Sequence, residues 1–394
     1  MGARAADQRA RQTVSSKPRI LLIRPDYLGD LVLTTPVIHA LRKAIPEAQI
    51  TMMVGPWSKE VVTHHSELDH ILTCPFPGFH DPHEKSLRPL LLLRVAKQLR
   101  QGNYDLAVNL LERSWWSSAL PYLARVPRRL GYVTKLSAPF LTQAVPFPHG
   151  VHMTISSLYL ISAGLQSLGY SPLQEPYTPE RYPLHFTLTA EEQEWAAQVL
   201  NARGINLGTP IVVIHPGTGV AVKLWRSEAW ATCATILAQS SRGVAPIQFI
   251  LTGVPKERPL LEEIASRTAA HTILVTDMTV GQLAALLKRA QLVLGVDSGP
   301  LHLAVAQGTP TFRIYGPMDS RQFGPWGNLK QHIVITSTHR CSTCPTIPCG
   351  RLDFLPRELE SHPCVRLVSE RQVLDAIAGS FSTLFNCGLS DSMR

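Results

Sequence analysis

Two carboxylates and an arginine crowd one short stretch, Arg24-Pro-Asp26-Tyr-Leu-Gly29-Asp30, directly after the apolar run Ile20-Leu-Leu-Ile23. An apolar run, a polar turn holding a glycine, and the amphipathic segment Leu31 to Ala44 make the first strand–loop–helix unit of an open α/β sheet. Such sheets bind ligands beyond the carboxyl ends of their strands, so Asp30 stands where a catalytic carboxylate would. An aspartate at a helix start also satisfies free amides and complements the helix dipole. On this stretch alone both readings stand.

Four loops in the second half collect groups suited to a nucleoside diphosphate. The first, His215-Pro-Gly217-Thr218-Gly219 through Lys223, Trp225 and Arg226, follows an apolar strand and precedes a helix starting near Ser227. Its glycines let backbone amides approach phosphate, the helix start adds partial positive charge and Lys223 a full one. An ordinary flexible connection with a solvated lysine reads the same way. The second, Gly253-Val-Pro-Lys-Glu257, offers a carboxylate to two ribose hydroxyls, or simply a first-turn glutamate for a helix dipole. The third, Asp297-Ser298-Gly299-Pro300-Leu-His302, places the amides of Ser298 and Gly299 at a helix start as an anion nest. Asp297 reads equally as a turn residue and His302 as a satisfied helical histidine. Tyr315-Gly316-Pro317, with Arg321 and Trp326 beyond, closes the series.

Of seven cysteines, Cys74, Cys233 and Cys387 are dispersed, while Cys341-x-x-Cys344, Cys349 and Cys364 cluster. Four thiols with this opening bind zinc or an iron–sulfur cluster, or remain reduced structural thiols; the second is the expectation. Neither first strand runs into the G-x-G-x-x-G turn of a dinucleotide site, and none of these loops carries an Asp-x-Asp pair for a metal-held diphosphate. No cofactor and no divalent metal in the chemistry are therefore expected.

The elements that must position these groups alternate. Apolar strand-like runs at 48–54, 70–74 and 104–109 interleave with helical runs, and a second series follows at 211–215, 247–251, 272–275, 292–295 and 311–315. Between residues 171 and 189, Pro172, Pro176, Pro179 and Pro183 mark a linker. The expected organisation is a basic disordered tail over 1–17, an α/β domain over 18–185, a second over 186–365, and a C-terminal helix and tail over 366–394. A chain of 394 residues that is 45% hydrophobic and 17% charged holds enough apolar material for two cores. Its 38 basic against 29 acidic residues, net +9, favour anionic partners, but the charge is scattered rather than blocked, which disfavours nucleic acid. Residues 1–17 lack the apolar core of a secretory signal and no apolar run reaches membrane-spanning length, so a cytoplasmic protein, either soluble or peripheral at the inner face of the membrane, is expected.

Taken in order, Arg24-x-Asp26-x-x-Gly29-Asp30, His215-Pro-Gly217 with Lys223 and Trp225, Gly253-x-x-x-Glu257, Asp297-Ser-Gly-Pro-x-His302 and Tyr315-Gly-Pro317 resemble glycosyltransferase family 9, which contains the ADP-heptose:lipopolysaccharide heptosyltransferases. Arg128-Arg-Leu-Gly131-Tyr132, after Ser114-Trp-Trp-Ser-Ser-Ala, is similar to the family's acceptor-domain segment, and the resemblance runs from about Arg19 to Phe381. It implies a GT-B fold, two Rossmann-like doubly wound domains facing a central cleft, with acceptor in the first and donor in the second. It further implies that Asp30 is the general base, that Lys223 neutralises the donor diphosphate, that Glu257 holds the ribose, and that Thr218, Asp297, Ser298, Gly299 and His302 line the donor pocket. Arg226 departs from the proline many members carry there, which puts the geometry of that loop in question. The implied reaction is metal-independent, inverting transfer of a sugar, heptose from ADP-heptose first, to a cell-envelope glycolipid or polysaccharide such as the lipopolysaccharide core. A sugar-nucleotide epimerase of the same two-domain architecture and a non-catalytic nucleotide-binding protein are the alternatives.

Overall fold

The computed structural model describes residues 16–76, 89–112, 114–205, 208–241 and 246–385. The tail expected over residues 1–17 lies outside them except for its last two residues, as do Cys387 and the final stretch of the expected C-terminal tail. The chain divides into two compact units, Met1–Thr187 and Leu188–Arg394.

In the first unit six parallel strands, β1 (Arg19–Arg24), β2 (Gln49–Val54), β3 (His70–Thr73), β4 (Leu106–Asn109), β5 (Arg128–Tyr132) and β6 (Gln143–Val145), lie in the order β3-β2-β1-β4-β5-β6. Ile20 to Ile23 are wholly buried, as a central strand covered on both faces requires. Register pairs Ile23 with Met53 on one side and with Asn109 on the other, so the carboxyl ends of β1, β2 and β4 lie level. The helix Leu28–Ala44 follows β1 and carries Pro36 in its interior. Proline cannot bond the carbonyl four residues back; the Thr35 hydroxyl donates to that carbonyl, Val32 O, at 2.8 Å. The helix Met153–Ser167 packs beside it, tied by Thr154 Oγ1 donating to Leu33 O at 2.8 Å.

The proline-rich stretch expected as a linker is packed rather than free. Tyr177, Leu184 and Phe186 are buried, and His185 N donates to Thr35 Oγ1 at 3.0 Å. Its prolines shape a strap on the first unit because three large side chains have apolar surface to bury there.

The second unit repeats the plan with β7 (Ile211–His215), β8 (Gln248–Thr252), β9 (Thr272–Val275), β10 (Leu292–Val296), β11 (Thr311–Tyr315) and β12 (His332–Thr336), ordered β12-β11-β10-β7-β8-β9. Counted from its own first strand this is the same 3-2-1-4-5-6 order, the Rossmann arrangement with its switch point between β7 and β10. Capping boxes begin three helices, Thr189 with Glu192, Thr279 with Gln282 and Ser369 with Gln372. The last of these helices, Glu370–Ser380, packs on the helix Ser227–Gln239, so it belongs to the core of this unit. Among the described residues no helix is long and apolar enough to cross a membrane.

Burial pushes His65 in the first unit and His215 and His332 in the second down to about 4, Arg313 adding to the effect on His332. Burial pushes Asp26 the other way, up to about 7, against the attraction of Arg24. Between pH 6.5 and 4 the unfolded chain protonates all three histidines while the native state does not, so their contribution to stability is lost as pH falls through that window. Asp26 works oppositely, gaining as pH falls from 7 towards its ordinary value, but it is one group against three. The unfolding midpoint is therefore expected to drop from pH 6.5 to 4, and His215→Asn with His332→Asn to flatten that drop in thermal scans across pH; an equally steep drop in the double variant would refute the assignment.

Candidate active site

Arg24 ends β1 and is 1% exposed, although its guanidinium carries a full charge. Its surroundings supply the compensation. Nε stands 2.7 Å from Asp26 Oδ1, Nη2 stands 3.6 Å from Asp30 Oδ1, and Nη1 donates to Leu110 O at 2.6 Å, in the loop after β4. One cation thus bridges the two strand ends at the sheet's switch point and holds two carboxylates of unlike character. Asp26 is buried, while 27% of the Asp30 side chain is exposed. The helix cap is Tyr27, which makes no side-chain capping bond, and Asp30 sits inside the first turn. Asp30 is therefore not the capping residue, though it still complements the dipole. The arrangement leaves the exposed carboxylate aimed by an arginine that is itself locked in the sheet, which suits a base for an incoming hydroxyl.

In the second unit the four loops lie side by side because β11, β10, β7 and β8 are neighbours and all run the same way. The close approach of β10 to β7 needs a glycine: a Cβ on Gly295 would stand 2.7 Å from the carbonyl oxygen of His215, its register partner. Lys223, ending a short 3-10 turn, extends its ammonium to Asp297 Oδ2 at 2.6 Å, with the two side chains 14% and 9% exposed. Thr218 Oγ1 donates to Asp297 O at 3.4 Å, tying the first loop to the third. Ser298 caps the helix Gly299–Ala306 with no side-chain capping bond, and its hydroxyl oxygen is buried with no hydrogen-bond partner among the described residues. A buried unsatisfied hydroxyl at a helix N-terminus is the arrangement an anion completes.

Glu257 lies against both glycine turns. Its Oε2 accepts from the amide of Val254 at 2.9 Å, and a Cβ on Gly217 would overlap its carboxylate while one on Gly253 would stand 2.9 Å from Oε2. One residue thus both accepts from the turn's amide and presents a carboxylate beside the Gly217 loop. His215, neutral through burial, shares a hydrogen bond with the Thr252 hydroxyl at 3.0 Å and links the ends of β7 and β8. His302 is buried one turn into its helix with Nδ1 3.3 Å from Arg313 Nη1.

Three residues carry more than their sequence positions disclosed. Arg24 was visible in the motif but not as the clamp for Asp26 and Asp30. Arg313 is wholly buried in β11, donating Nη2 to Leu301 O at 2.7 Å and sharing the electrostatic field of Asp297 and Tyr315. A charged residue inside the apolar run Thr311-Phe-Arg-Ile-Tyr315 was the available signal. His362, two residues before Cys364, joins the thiols: Cys341 and Cys344 gather around it, with Cys349 and Cys364 beside them. Arg226, at the position where a proline is common, donates Nε to Arg366 O at 2.8 Å and pairs with Glu370 at 3.0 Å, fastening the loop to the C-terminal segment.

Comparison with known proteins places these geometries. Residues 92–351 match Glycosyltransferase family 9 (heptosyltransferase). Lipopolysaccharide heptosyltransferase 3 of Escherichia coli is 29% identical over 312 residues, covering 77% of this chain and 84% of the relative. A crystal structure of a family 9 glycosyl transferase from Veillonella parvula superposes with a TM-score of 0.75 at 22% identity, over 94% of this chain and 99% of that one. E. coli ADP-heptose lps heptosyltransferase II superposes with a TM-score of 0.69 at 18% identity, over 95% and 100%. With two sheets of Rossmann order, the fold is GT-B. The chain belongs to glycosyltransferase family 9, the heptosyltransferases.

Proposed function

We propose that this glycosyltransferase moves a heptose from ADP-heptose to a lipopolysaccharide-core type of glycolipid, by a single inverting displacement that needs no divalent metal. The observation that carries the reading is the row of four loops at the ends of β11, β10, β7 and β8, which presents a lysine, a helix start with an unsatisfied hydroxyl and a carboxylate in sequence. Sugar and acceptor are suggested by relatives named as lipopolysaccharide heptosyltransferases, among them those of Escherichia coli and Pseudomonas aeruginosa. The excess of basic residues suits an acceptor held at an anionic membrane face from the cytoplasmic side.

In this reading the acceptor hydroxyl attacks the anomeric carbon as its proton passes to Asp30, and the bond to the diphosphate breaks on the opposite face. The departing diphosphate gathers negative charge. Lys223, the Ser298 hydroxyl and the amides of Ser298 and Gly299 meet that charge, which replaces what a metal would supply. Glu257 takes the ribose hydroxyls, and Thr218 with Asp297 holds the lysine loop in register. His302, one turn into the helix that Ser298 caps and against Arg313, lines the donor pocket.

Asp30→Asn is expected to lower turnover by roughly a hundredfold to ten-thousandfold with the donor dissociation constant nearly unchanged, because the lost group acts only on the proton in flight. Isothermal titration with ADP beside a transfer assay checks this, and wild-type turnover in the variant would reduce Asp30 to a dipole partner.

Lys223→Ala should weaken donor binding and turnover together, by roughly a hundredfold or more in kcat, since its charge meets the diphosphate in the ground state and more strongly as the bond breaks. Unchanged affinity for the sugar nucleotide would remove the phosphate assignment.

Turnover should also be indifferent to magnesium or manganese added after treatment with EDTA. Restoration of lost activity by either ion would overturn the metal-free displacement.

A further inference from the structure

From Ser337 to Ser369 the second unit has almost no regular structure; among the described residues only the 3-10 stretch Pro356–Ser361 interrupts the loops between β12 and the last helix. A segment of that kind inside a compact domain needs something to hold it. Its backbone is fastened to the donor loops at several points: Trp225 Nε1 donates to Val368 O at 2.9 Å, Arg226 Nε to Arg366 O at 2.8 Å, and Gly350 N to Pro317 O at 2.7 Å. Within the segment, Cys341 and Cys364 are buried in the unit's hydrophobic core beside Val365 and Val368, and Cys344 and Ile347 pack against it.

Cys341 and Cys344 flank a tight turn, closed by Cys344 N donating to Cys341 O at 3.1 Å, which turns both sulfurs to one side. His362 returns to the same place from the far end of the 3-10 stretch, with Nδ1 3.3 Å from Cys344 Sγ. The three donor atoms lie within 4.8 Å of one another. Tetrahedral zinc or iron with bonds of about 2.3 Å to sulfur and 2.0 Å to nitrogen needs donors roughly 3.5 to 3.8 Å apart, a contraction that side-chain rotation supplies. The other ring nitrogen of His362, Nε2, stands 3.2 Å from the Thr343 hydroxyl, a contact of the kind that orients metal-bound imidazoles, while Nδ1 faces the Cys344 sulfur. The Cys349 thiol lies beside that of Cys344, and the Cys364 thiol beside that of Cys341. A cavity of about 10 Å³ opens among these residues, room for one water-sized or ion-sized body. Val222 and Pro317 also line it, and Val222 precedes Lys223 in the chain.

We propose that Cys341, Cys344 and His362, with one further thiolate from Cys349 or Cys364, form a structural site for a single zinc or iron ion that staples the segment behind the Lys223 loop. The ligand set is soft and closed, three sulfurs and one nitrogen, which selects these ions over magnesium or calcium and leaves no open position for chemistry. Metal content stands independently of the function proposed above; only the coupling to donor binding rests on it.

The test uses the full chain purified anaerobically under reducing conditions. Elemental analysis is expected to find about one zinc or iron per chain, and protein refolded with Co²⁺ to show intense visible bands with a near-ultraviolet thiolate charge-transfer band. Cys344→Ser and His362→Ala should each bring bound metal below about a tenth of an equivalent, while Cys233→Ala, at a buried cysteine elsewhere in the unit, should retain it. Of Cys349→Ser and Cys364→Ser, one should lose the metal and the other keep it; any other pattern overturns the three-sulfur, one-nitrogen set. Wild-type protein with neither bound metal nor a cobalt–thiolate band overturns the site outright, whether or not the variants fold. The Michaelis constant for the donor, measured on metal-loaded and metal-depleted wild type, should rise several-fold on depletion. Metal-loaded protein whose donor constant ignores depletion keeps the site and removes the coupling, whereas a metal-loaded chain that transfers no sugar at all keeps the site and removes the proposed function.

Discussion

Strands buried on both faces constrain everything else in this molecule. Ile20 to Ile23 in β1 and Leu292 to Leu294 in β10 have no solvent-facing side, so no polar group of use to a ligand can be carried along them. Chemistry is displaced to the strand ends, where the parallel direction stacks the carboxyl termini together. In each unit the switch point lies between the first and fourth strands in chain order, β1 and β4 or β7 and β10, and it is there that the charged groups collect. The packing at these ends is tight enough to dictate residue type, as Gly295 against the His215 carbonyl illustrates.

The two units solve the problem of a buried arginine differently. Arg24 is answered by two carboxylates and a carbonyl, and the second carboxylate is left partly exposed because the guanidinium is shared. Removing Arg24 would leave Asp26 buried without its cation, so the clamp and the exposed Asp30 depend on the same group. Arg313 donates to a carbonyl and a hydroxyl and stands by a histidine ring, and its charge is felt by Asp297 and Tyr315. Burial lowers the Arg313 pKa and raises that of Tyr315, each away from its charged form.

Much of this was legible in the sequence because the central strands are pure apolar runs. β7, β9 and β11 fall where the runs Ile211–His215, Thr272–Val275 and Thr311–Tyr315 place them. Three strands escaped: β6 and β12 lie at sheet edges with one flank unpaired, and β5, though paired on both sides and largely buried, carries Arg128, Arg129 and Gly131 in place of an apolar run. The same logic holds for the site. Asp30, Lys223, Glu257 and Asp297 could be picked out because each follows a recognisable strand and turn. Which carboxylate meets which cation is a matter of three-dimensional packing, so the pairing of Lys223 with Asp297, the clamp of Arg24 and the return of His362 to the thiols left no local trace.

The Lys223–Asp297 pair bears on how a donor would enter. The two side chains are 14% and 9% exposed, and at 2.6 Å each answers the other's charge and holds it in position. An arriving diphosphate need not break that pair, because an ammonium has three donors and the carboxylate occupies only one direction around it. In the proposed reading the phosphate would meet the lysine's remaining donors together with the Ser298 hydroxyl, which is buried without a hydrogen-bond partner among the described residues, and the first amides of its helix. In that reading Asp297 would cost some attraction for the anion in the ground state, yet it would fix the ammonium near the charge that develops on the leaving oxygen. For a reaction limited by stabilising that charge, a fixed cation of moderate strength serves better than a stronger one free to wander.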